Sequence, residues 1–234
     1  MLLLVGLGNP GPENARNRHN IGFMAADAIA ERYRFPAFRS RFQGLVSEAH
    51  IGGEKIMLLK PMTYMNRSGQ SVGEALRYFK LDPDRLLVIH DELDLAFGKV
   101  KIKTGGGAAG HNGVRDIDAH LGTQDYRRLR LGIGHPGDRG RVTKHVLSDF
   151  GKEDMAAVES WLDAIVSCLP DLLRDDTPKF LNDLALAMGE AAPDKKGEAA
   201  PDKKDKAPPE DERANKTGLA AAFEAALARL RGPG

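Results

Sequence analysis

Short, continuous runs of apolar residues alternate along this chain with segments whose apolar residues recur every three or four positions. The short runs predict buried strands, at residues 2–7, 45–51, 54–60, 86–90, 100–103 and 128–133. The periodic segments predict helices, at residues 21–29, 72–79, 114–121, 152–173 and 178–188. Strands that alternate with helices are typical of α/β proteins. We therefore expect a single three-layer α/β domain over residues 1–189, with a mixed, mostly parallel twisted sheet flanked by helices.

Several residues predict where these elements begin, turn and end. Asn20 precedes the first helical segment and is predicted to cap it. Pro170 falls inside the longest helical segment, where its ring and its missing N–H predict a break or a bend. Gly52 and Gly53 lie between two strand-like runs and predict a hairpin closed by a two-residue turn. This hairpin is the reason for expecting a mixed sheet and not a purely parallel one.

The composition changes abruptly after Gly189. Residues 190–216 repeat EAAPDKK, mix both charges with proline and show no apolar periodicity. Because such a segment cannot bury enough surface to offset the entropy of ordering, we expect a disordered linker. Residues 217–234 place Leu219, Phe223 and Leu230 on one stripe and predict a short amphipathic helix. We expect this helix to dock on this protein or on an unknown partner.

Charge and cysteine content narrow the class of protein. The 234 residues carry a net charge of +1 at pH 7, so binding of nucleic acid has to come from local clusters of basic residues. The single cysteine, Cys168, excludes an internal disulfide and indicates a reducing compartment. The apolar start MLLLVG is too short for a secretory signal, and no other apolar run approaches the length of a membrane span. We therefore expect a cytoplasmic protein with no membrane partner.

Gly6, Gly8 and Gly11 follow the first predicted strand with the spacing G-x-G-x-x-G, as in dinucleotide-binding loops. Such a loop needs a helix that starts within it, whereas here the polar stretch ENARNRHN follows and helical periodicity begins only at Ile21. No acidic residue ends a second strand at the required distance. The pattern argues against a nucleotide cofactor. It leaves a loop at the carboxyl end of a strand, where α/β proteins build their sites.

His19 lies in this polar loop, and Asp91 ends the apolar strand LLVIH. A histidine held by a carboxylate is a common general base near neutral pH, because the carboxylate fixes the tautomer and stabilises the imidazolium. Candidates for a protein nucleophile are few: no serine lies in a G-x-S-x-G elbow, and Cys168 falls near the apolar face of a helix. Water is then the simplest nucleophile. The alternative is that Asp91 and Glu92 are solvated turn residues.

Three asparagines lie in glycine-flanked loops: Asn9 in GLGNPG, Asn66 in TYMNRSG and Asn112 in GHNG. A side-chain amide can donate to a developing oxyanion or position a water without adding charge. Beside a histidine base, these amides favour ester or amide hydrolysis. Each asparagine could instead be a turn or cap residue.

A metal site is a competing interpretation, because His90, Asp91, Glu92 and Asp94 lie close together in the sequence. Adjacent residues of a strand point to opposite faces, however. The chain also has neither an H-x-x-x-H pattern on a helix nor a cysteine pair. We expect no metal.

Basic residues cluster on two predicted strands beside the glycine-rich stretch GGGAAG. Lys99, Lys101 and Lys103 alternate along one strand, and Arg128 and Arg130 alternate along the other, so each set shares a face. Two basic strand faces can hold a phosphate backbone. The alternative is an ordinary solvated face of a sheet.

The motifs GLGNPG, RHNIG, PMTYMNRSG, HDELDL, GGGAAGHNG and RLRLGIGHPG occur in this order, and together they resemble bacterial-type peptidyl-tRNA hydrolase. The resemblance runs from about residue 3 to residue 188. It implies a monomeric α/β esterase without metal or cofactor, which cuts the ester between a peptide, or another N-blocked aminoacyl group, and the 3′-terminal ribose of tRNA. The competing hypothesis is a non-catalytic RNA-binding or ribosome-associated module on the same scaffold.

The resemblance also implies roles for individual residues. His19 is similar to the base that activates water, Asp91 to the residue that keeps it basic, and Asn9 to a residue at the reaction centre. Lys103 and Arg130 fall on the pair that clamps the 5′-phosphate of tRNA. The positions implied to contact the peptide or the end of the tRNA are Asn14, Tyr64, Asn66 and Asn112.

Two positions depart from the family pattern. Asn14 stands where the family usually has tyrosine, and Asn17 stands where it usually has threonine. The resemblance therefore carries no aromatic contact to the tRNA end at this loop, and Asn14 is kept only as a candidate contact.

Overall fold

The computed structural model describes residues 1–189, which lie within the first compact unit of the chain, Met1–Pro193. Strands and helices alternate along it, apart from the strand runs β2–β4 and β5–β6 and the three helices that follow the last strand. The strands are β1 (Leu2–Gly6), β2 (Arg39–Arg41), β3 (Gly44–Ile51), β4 (Glu54–Pro61), β5 (Leu86–Glu92), β6 (Val100–Thr104) and β7 (Arg127–Gly132). The helices are α1 (Ile21–Arg32), α2 (Ser68–Phe79), α3 (Asn112–Leu121), α4 (Val142–Val146), α5 (Lys152–Leu173) and α6 (Thr177–Ala187).

These seven strands form one sheet in the order β2-β3-β4-β1-β5-β7-β6. The four strands β4, β1, β5 and β7 are parallel, and Leu4 of β1 pairs with Leu58 of β4 and Leu87 of β5. The strands β2, β3 and β6 are antiparallel to their neighbours. The carboxyl ends of β1 and β5 therefore lie side by side near the centre of the sheet, where the loops of a site can meet.

Helices cover both faces of the sheet and enclose two apolar cores. Along β1, Leu2 and Leu4 face the core under α1, α5 and α6, whereas Leu3 and Val5 face the core under α2 and α3. Trp161 of α5 is 1% exposed and is the largest side chain buried in the first core. The predicted three-layer α/β domain with a mixed sheet is confirmed.

The apolar patterns located most elements, and the exceptions are two short ones. The hairpin of β3 and β4 turns at Gly52 and Gly53, whose φ angles of 59° and 87° suit glycine. The edge strand β2 reads RSR and the helix α4 has five residues, so neither offers enough apolar periodicity to predict it.

Of the two outcomes predicted at Pro170, a break or a bend of the longest helix, the break does not occur. Helix α5 continues through Pro170 to Leu173, so the proline lies in its last turn. A proline lacks the N–H that would bond the carbonyl four residues earlier, which is that of Val166. The hydroxyl of Tyr33 donates to this carbonyl at 2.7 Å. The carbonyl that Pro170 leaves without its helical partner is therefore satisfied by a neighbouring side chain.

The predicted cap at Asn20 is also wrong. Helix α1 does begin at the next residue, but the Asn20 side chain makes no capping hydrogen bond. Its amide bonds the main chain of Asn9 instead. Sequence position alone cannot tell these two uses of an asparagine apart.

The predicted linker at residues 190–216 and the predicted helix at residues 217–234 lie outside the described residues. Within residues 1–189, no helix is both long enough and apolar enough to cross a membrane.

Candidate active site

The site forms where the loop after β1 meets the end of β5. A 3-10 turn, Arg18–Asn20, carries His19 and leads directly into α1. The start of α1 approaches the end of β1 so closely at Gly6 and Gly22 that a Cβ on Gly6 would overlap the carbonyl of Gly22. This contact between two backbones, which only glycine allows, keeps the turn with His19 beside the carboxyl end of β5.

Asp91 lies between two histidines. His19 Nδ1 lies 2.8 Å from Asp91 Oδ1 and 3.0 Å from Oδ2, and His111 Nε2 lies 3.0 Å from Oδ1. The exposed fractions are 8% for His19, 3% for Asp91 and 9% for His111. The structure thus brings His19 and Asp91 together as the sequence predicts, and burial of Asp91 excludes a solvated turn residue.

The hydrogen bonds of His111 fix its tautomer. His111 Nδ1 accepts from the backbone N–H groups of Gly113 at 3.1 Å and Val114 at 3.3 Å, which caps the start of α3. Because Nδ1 accepts, the proton of the neutral ring lies on Nε2 and is donated to Asp91. His111 therefore has no nitrogen left for a substrate.

His19 uses its nitrogens the other way round. Its Nδ1–H donates to the Asp91 carboxylate, which leaves Nε2 unprotonated on a residue that lines the cavity. Burial alone would raise the pKa of the Asp91 carboxyl, but the charge interactions and hydrogen bonds of His19 and His111 outweigh burial and hold that pKa well below its usual range. Asp91 is therefore ionised at neutral pH and keeps His19 in the tautomer that a base needs.

A third histidine, His90, lies directly before Asp91 and packs edge-on against the His111 ring, with 4.8 Å between ring centroids. Its Nδ1 donates to the backbone carbonyl of Asp91 at 2.7 Å, and its Nε2 is buried without a hydrogen-bond partner among the described residues. Burial, and next the interaction with His111, lower the pKa of His90 well below the usual value. His90 is thus a neutral, structural neighbour of the pair.

Two asparagines of the site have their side-chain oxygens engaged in hydrogen bonds. Asn9 Oδ1 accepts from the backbone N–H of Met65 at 2.8 Å, and Asn112 Oδ1 accepts from the guanidinium of Arg115. With both oxygens engaged, each residue offers its NH₂ group as a hydrogen-bond donor. Both residues line the same cavity as His19.

This cavity has a volume of about 530 Å³, which is in the range of small-molecule sites. Six of the residues predicted from the sequence line it: Asn9, His19, Tyr64, Asn66, Asp91 and Asn112. Tyr64 is 68% exposed at its rim. The wall also includes residues that the sequence did not single out, namely Met65, His111 and, from α4 and the residue after it, Val142, Thr143, Val146 and Leu147. The one sequence signal that could have identified His111 is its position directly before Asn112 in GGGAAGHNG.

Three predicted contact residues do not line the cavity. Asn14 donates to the carbonyl of Pro10 at 2.8 Å and accepts from Asn17 at 3.0 Å, so its amide holds its own loop together. Lys103 lies on β6, over Gly106. Arg130 binds Glu92 Oε2 through Nε at 2.7 Å and Nη2 at 2.6 Å.

Two residues predicted for the basic faces of the strands, Lys99 and Arg128, depart from that prediction. Lys99 precedes β6, which begins at Val100. Arg128 is 2% exposed and is not available to a phosphate. Its guanidinium donates to the carbonyls of Gly105 at 2.7 Å and Gly107 at 2.9 Å, and also to that of Gly106. Arg128 therefore braces the glycine-rich stretch that leads to His111.

The described residues also contain one group with the composition of a metal site. His19, Asp91 and His111 each offer one ligand atom, and these atoms lie within 4.8 Å of one another. In the hydrogen-bonding pattern above, however, both histidine nitrogens that face Asp91 carry protons. The arrangement fits a hydrogen-bonded triad, and a cation would have to displace both protons.

The comparisons with known proteins point to one family. A sequence model of the family described as Peptidyl-tRNA hydrolase matches residues 3–193. Relatives named Peptidyl-tRNA hydrolase include one from Acidiphilium cryptum, 57% identical over 192 residues that cover 82% of this chain and 100% of the relative. Another, from Chelativorans sp. (strain BNC1), is 55% identical over 193 residues that cover 82% and 80%.

A solved structure gives the same result. The crystal structure of peptidyl-tRNA hydrolase from Acinetobacter baumannii matches with a TM-score of 0.74 and 40% identity, over 79% of this chain and 94% of that chain. The order of motifs, the triad in the cavity and these similarities agree, and the chain belongs to the peptidyl-tRNA hydrolase family.

Proposed function

We propose that this protein hydrolyses the ester of peptidyl-tRNA with a water molecule activated by His19, which releases the tRNA for reuse. Membership of the family supports the reaction and its substrate. The observation that carries the mechanism is the His19–Asp91 pair, which leaves His19 Nε2 unprotonated at the cavity.

In the first step, His19 Nε2 takes a proton from water while the water oxygen attacks the carbonyl carbon of the ester. The ionised Asp91 stabilises the imidazolium that forms. The carbonyl oxygen becomes an oxyanion, and the NH₂ groups of Asn9 and Asn112 are the donors that can stabilise it.

In the second step, the tetrahedral intermediate collapses and the bond between the carbonyl carbon and the ribose oxygen breaks. His19 returns its proton to the leaving ribose oxygen. The products are a peptide with a free carboxylate and a tRNA with a free hydroxyl. No group other than water and the residues of this chain is needed, so we propose that the reaction requires neither a metal nor a cofactor.

The two sides of the cavity suit the two parts of the substrate. The basic strands β6 and β7 lie on one side, with Lys103 and Arg130 as the proposed contacts to the 5′-phosphate of the tRNA. Tyr64 and Asn66 line the cavity from the turn after β4, on the other side of β1, and are proposed to contact the acyl part or the terminal nucleotide. A monomer acting in the cytoplasm, where peptidyl-tRNA arises, is part of the same proposal.

The test is incubation of the full chain with a tRNA that carries a labelled, N-blocked aminoacyl group. Release of the label at a rate proportional to enzyme concentration supports the proposal. Tight binding of the tRNA without release would instead favour the non-catalytic RNA-binding module.

Lys103→Glu tests the proposed phosphate contact. We expect KM for the tRNA substrate to rise and the slope of log affinity against log salt to fall by about one, because one phosphate contact is lost. Lys55→Glu is the matched control, because Lys55 lies on β4, away from β6, and pairs with Glu48 at 2.8 Å. Equal effects of the two variants would show a nonspecific loss of charge and would contradict the contact.

A further inference from the structure

Asn20 lies between two parts of the site, the His19–Asp91 pair and the loop that carries Asn9. It is 2% exposed and follows His19 directly in the chain. It is not among the residues that line the cavity. His19 is directed to Asp91 at the end of β5, whereas Asn20 is directed to Asn9 in the loop after β1.

The Asn20 amide binds the main chain of Asn9 at two points. Asn20 Oδ1 accepts from the backbone N–H of Asn9 at 2.9 Å, and Asn20 Nδ2 donates to the carbonyl of Asn9 at 2.8 Å. Two parallel bonds from one planar amide restrain both the distance and the rotation of the Asn9 peptide groups. Both polar atoms of a buried side chain are thereby satisfied, as burial requires.

This pair of bonds decides where the Asn9 side chain points. The main chain of Asn9 is held by Asn20, and its side-chain oxygen is held by the N–H of Met65 at 2.8 Å. The NH₂ group of Asn9 then has one direction available. Because Asn20 is bonded covalently to His19, the same residue sets the spacing between the base and this donor.

We propose that Asn20 is a positioning residue for hydrolysis: it keeps the NH₂ group of Asn9 and Nε2 of His19 at a fixed distance from each other, and it does not touch the substrate. This inference rests on the proposed function. It goes beyond it by assigning a role to a residue whose side chain has no access to the reacting atoms. An amide is required, because a carboxylate of the same shape would place a second oxygen against the carbonyl of Asn9.

The experiment compares Asn20→Asp, which keeps the shape, and Asn20→Ala, which removes both bonds, with the wild-type chain. We expect kcat to fall about 10-fold to 100-fold in both variants, because displacing a catalytic group by about 1 Å can reduce the rate on the order of 100-fold. KM should stay within about twofold of wild type, because Asn20 does not touch the substrate.

Asn17→Ala is the matched control. Asn17 lies three residues earlier in the same loop, is 5% exposed, and uses its amide to donate to Asn14. We expect it to lower the melting temperature as a buried asparagine does, while kcat stays within about twofold of wild type. A kcat as low as that of Asn20→Ala would show that any loosening of the loop suffices, and would overturn the proposal.

Hydrogen exchange gives a readout that does not depend on turnover. The backbone N–H of Asn9 should exchange faster in Asn20→Ala than in wild type or in Asn17→Ala, because its acceptor is gone. Unchanged exchange at Asn9, or wild-type kcat in both Asn20 variants, would overturn the role of Asn20. A wild-type chain that releases no acyl group while Asn9 exchange responds as expected would refute the proposed function, and with it a role of Asn20 in hydrolysis, while the hold of Asn20 on the Asn9 main chain would remain supported.

Discussion

His19 and His111 flank the same carboxylate, with 4.9 Å between their ring centroids. His19 uses Nδ1 to bond Asp91 and keeps Nε2 for the cavity. His111 uses Nε2 to bond Asp91 and commits Nδ1 to the first N–H groups of α3. Two histidines that are alike in burial, in partner and in hydrogen-bond length therefore have different chemical capacities.

The comparison shows that a carboxylate near a histidine does not by itself identify a general base. Whether a histidine can act as a base depends on its second ring nitrogen. A nitrogen whose lone pair already accepts backbone N–H groups is not available to take a proton from water. His111 instead ties the start of α3, and with it Asn112, to Asp91. One carboxylate thus organises both the base and the loop of a proposed oxyanion donor.

The largest effect is expected when the proposed base, His19, is removed. His19→Ala should lower kcat on the order of 100-fold to 10,000-fold, the range for loss of a general base. His111→Asn is the matched comparison, since asparagine is also a good N-cap but does not reach Asp91 in the same way. It should lower kcat only about tenfold, the equivalent of one hydrogen bond to a charged group. Equal losses in single-turnover assays would contradict the distinction between the two histidines.

A smaller loss of kcat is expected when Asp91, the partner that both histidines share, loses its charge. Asp91→Asn keeps the shape, but its NH₂ group cannot accept the Nδ1–H of His19, so the ring is driven toward the wrong tautomer. We expect kcat to fall on the order of 100-fold, with tRNA binding measured by filter retention nearly unchanged.

Asp91→Asn also has an expected signature in stability. The pKa of Asp91 is lowered in the folded protein, so its ionised form stabilises the fold above the unfolded pKa of about 4, and this contribution is lost as the pH falls below that value. The stability difference between wild type and Asp91→Asn, from urea unfolding, should therefore shrink below about pH 4. A difference that grows toward acid would contradict this assignment of charge.

The smallest effect on activity is expected at His90, the third histidine of the cluster. Its pKa is lowered by burial, so below about pH 6.5 the unfolded chain takes up a proton at this position and the folded chain does not. Stability should therefore fall as the pH decreases, by up to about 1.4 kcal/mol per pH unit from this group. His90→Gln should flatten the dependence between pH 6.5 and 5. Equal slopes in urea unfolding would refute a neutral, buried His90.

The sequence located the principal pair of the site but not its surroundings. His19 and Asp91 were identifiable because each lies at the end of an apolar strand or in the loop after it, and such ends meet in an α/β sheet. His111 was not identified as a partner of Asp91, because no sequence pattern links the two residues and only the packing of the fold brings His111 Nε2 to 3.0 Å from Asp91 Oδ1. Arg128 shows the opposite error: strand alternation gave its face correctly, but the glycine carbonyls that bury it belong to a neighbouring loop.

By itself, the sequence determined most of the strands and helices, the three-layer fold and the family, because hydrophobic periodicity and ordered motifs are local properties of the chain. Only the tertiary structure decided which nitrogen of each histidine is engaged, that the Asn20 side chain binds Asn9 and does not cap α1, and that Tyr33 satisfies the carbonyl left free by Pro170. The physical reason is that a polar side chain satisfies its hydrogen bonds with whatever the fold brings within about 3 Å. Those partners lie on other elements, and their identity is a property of the packing and not of the neighbouring residues.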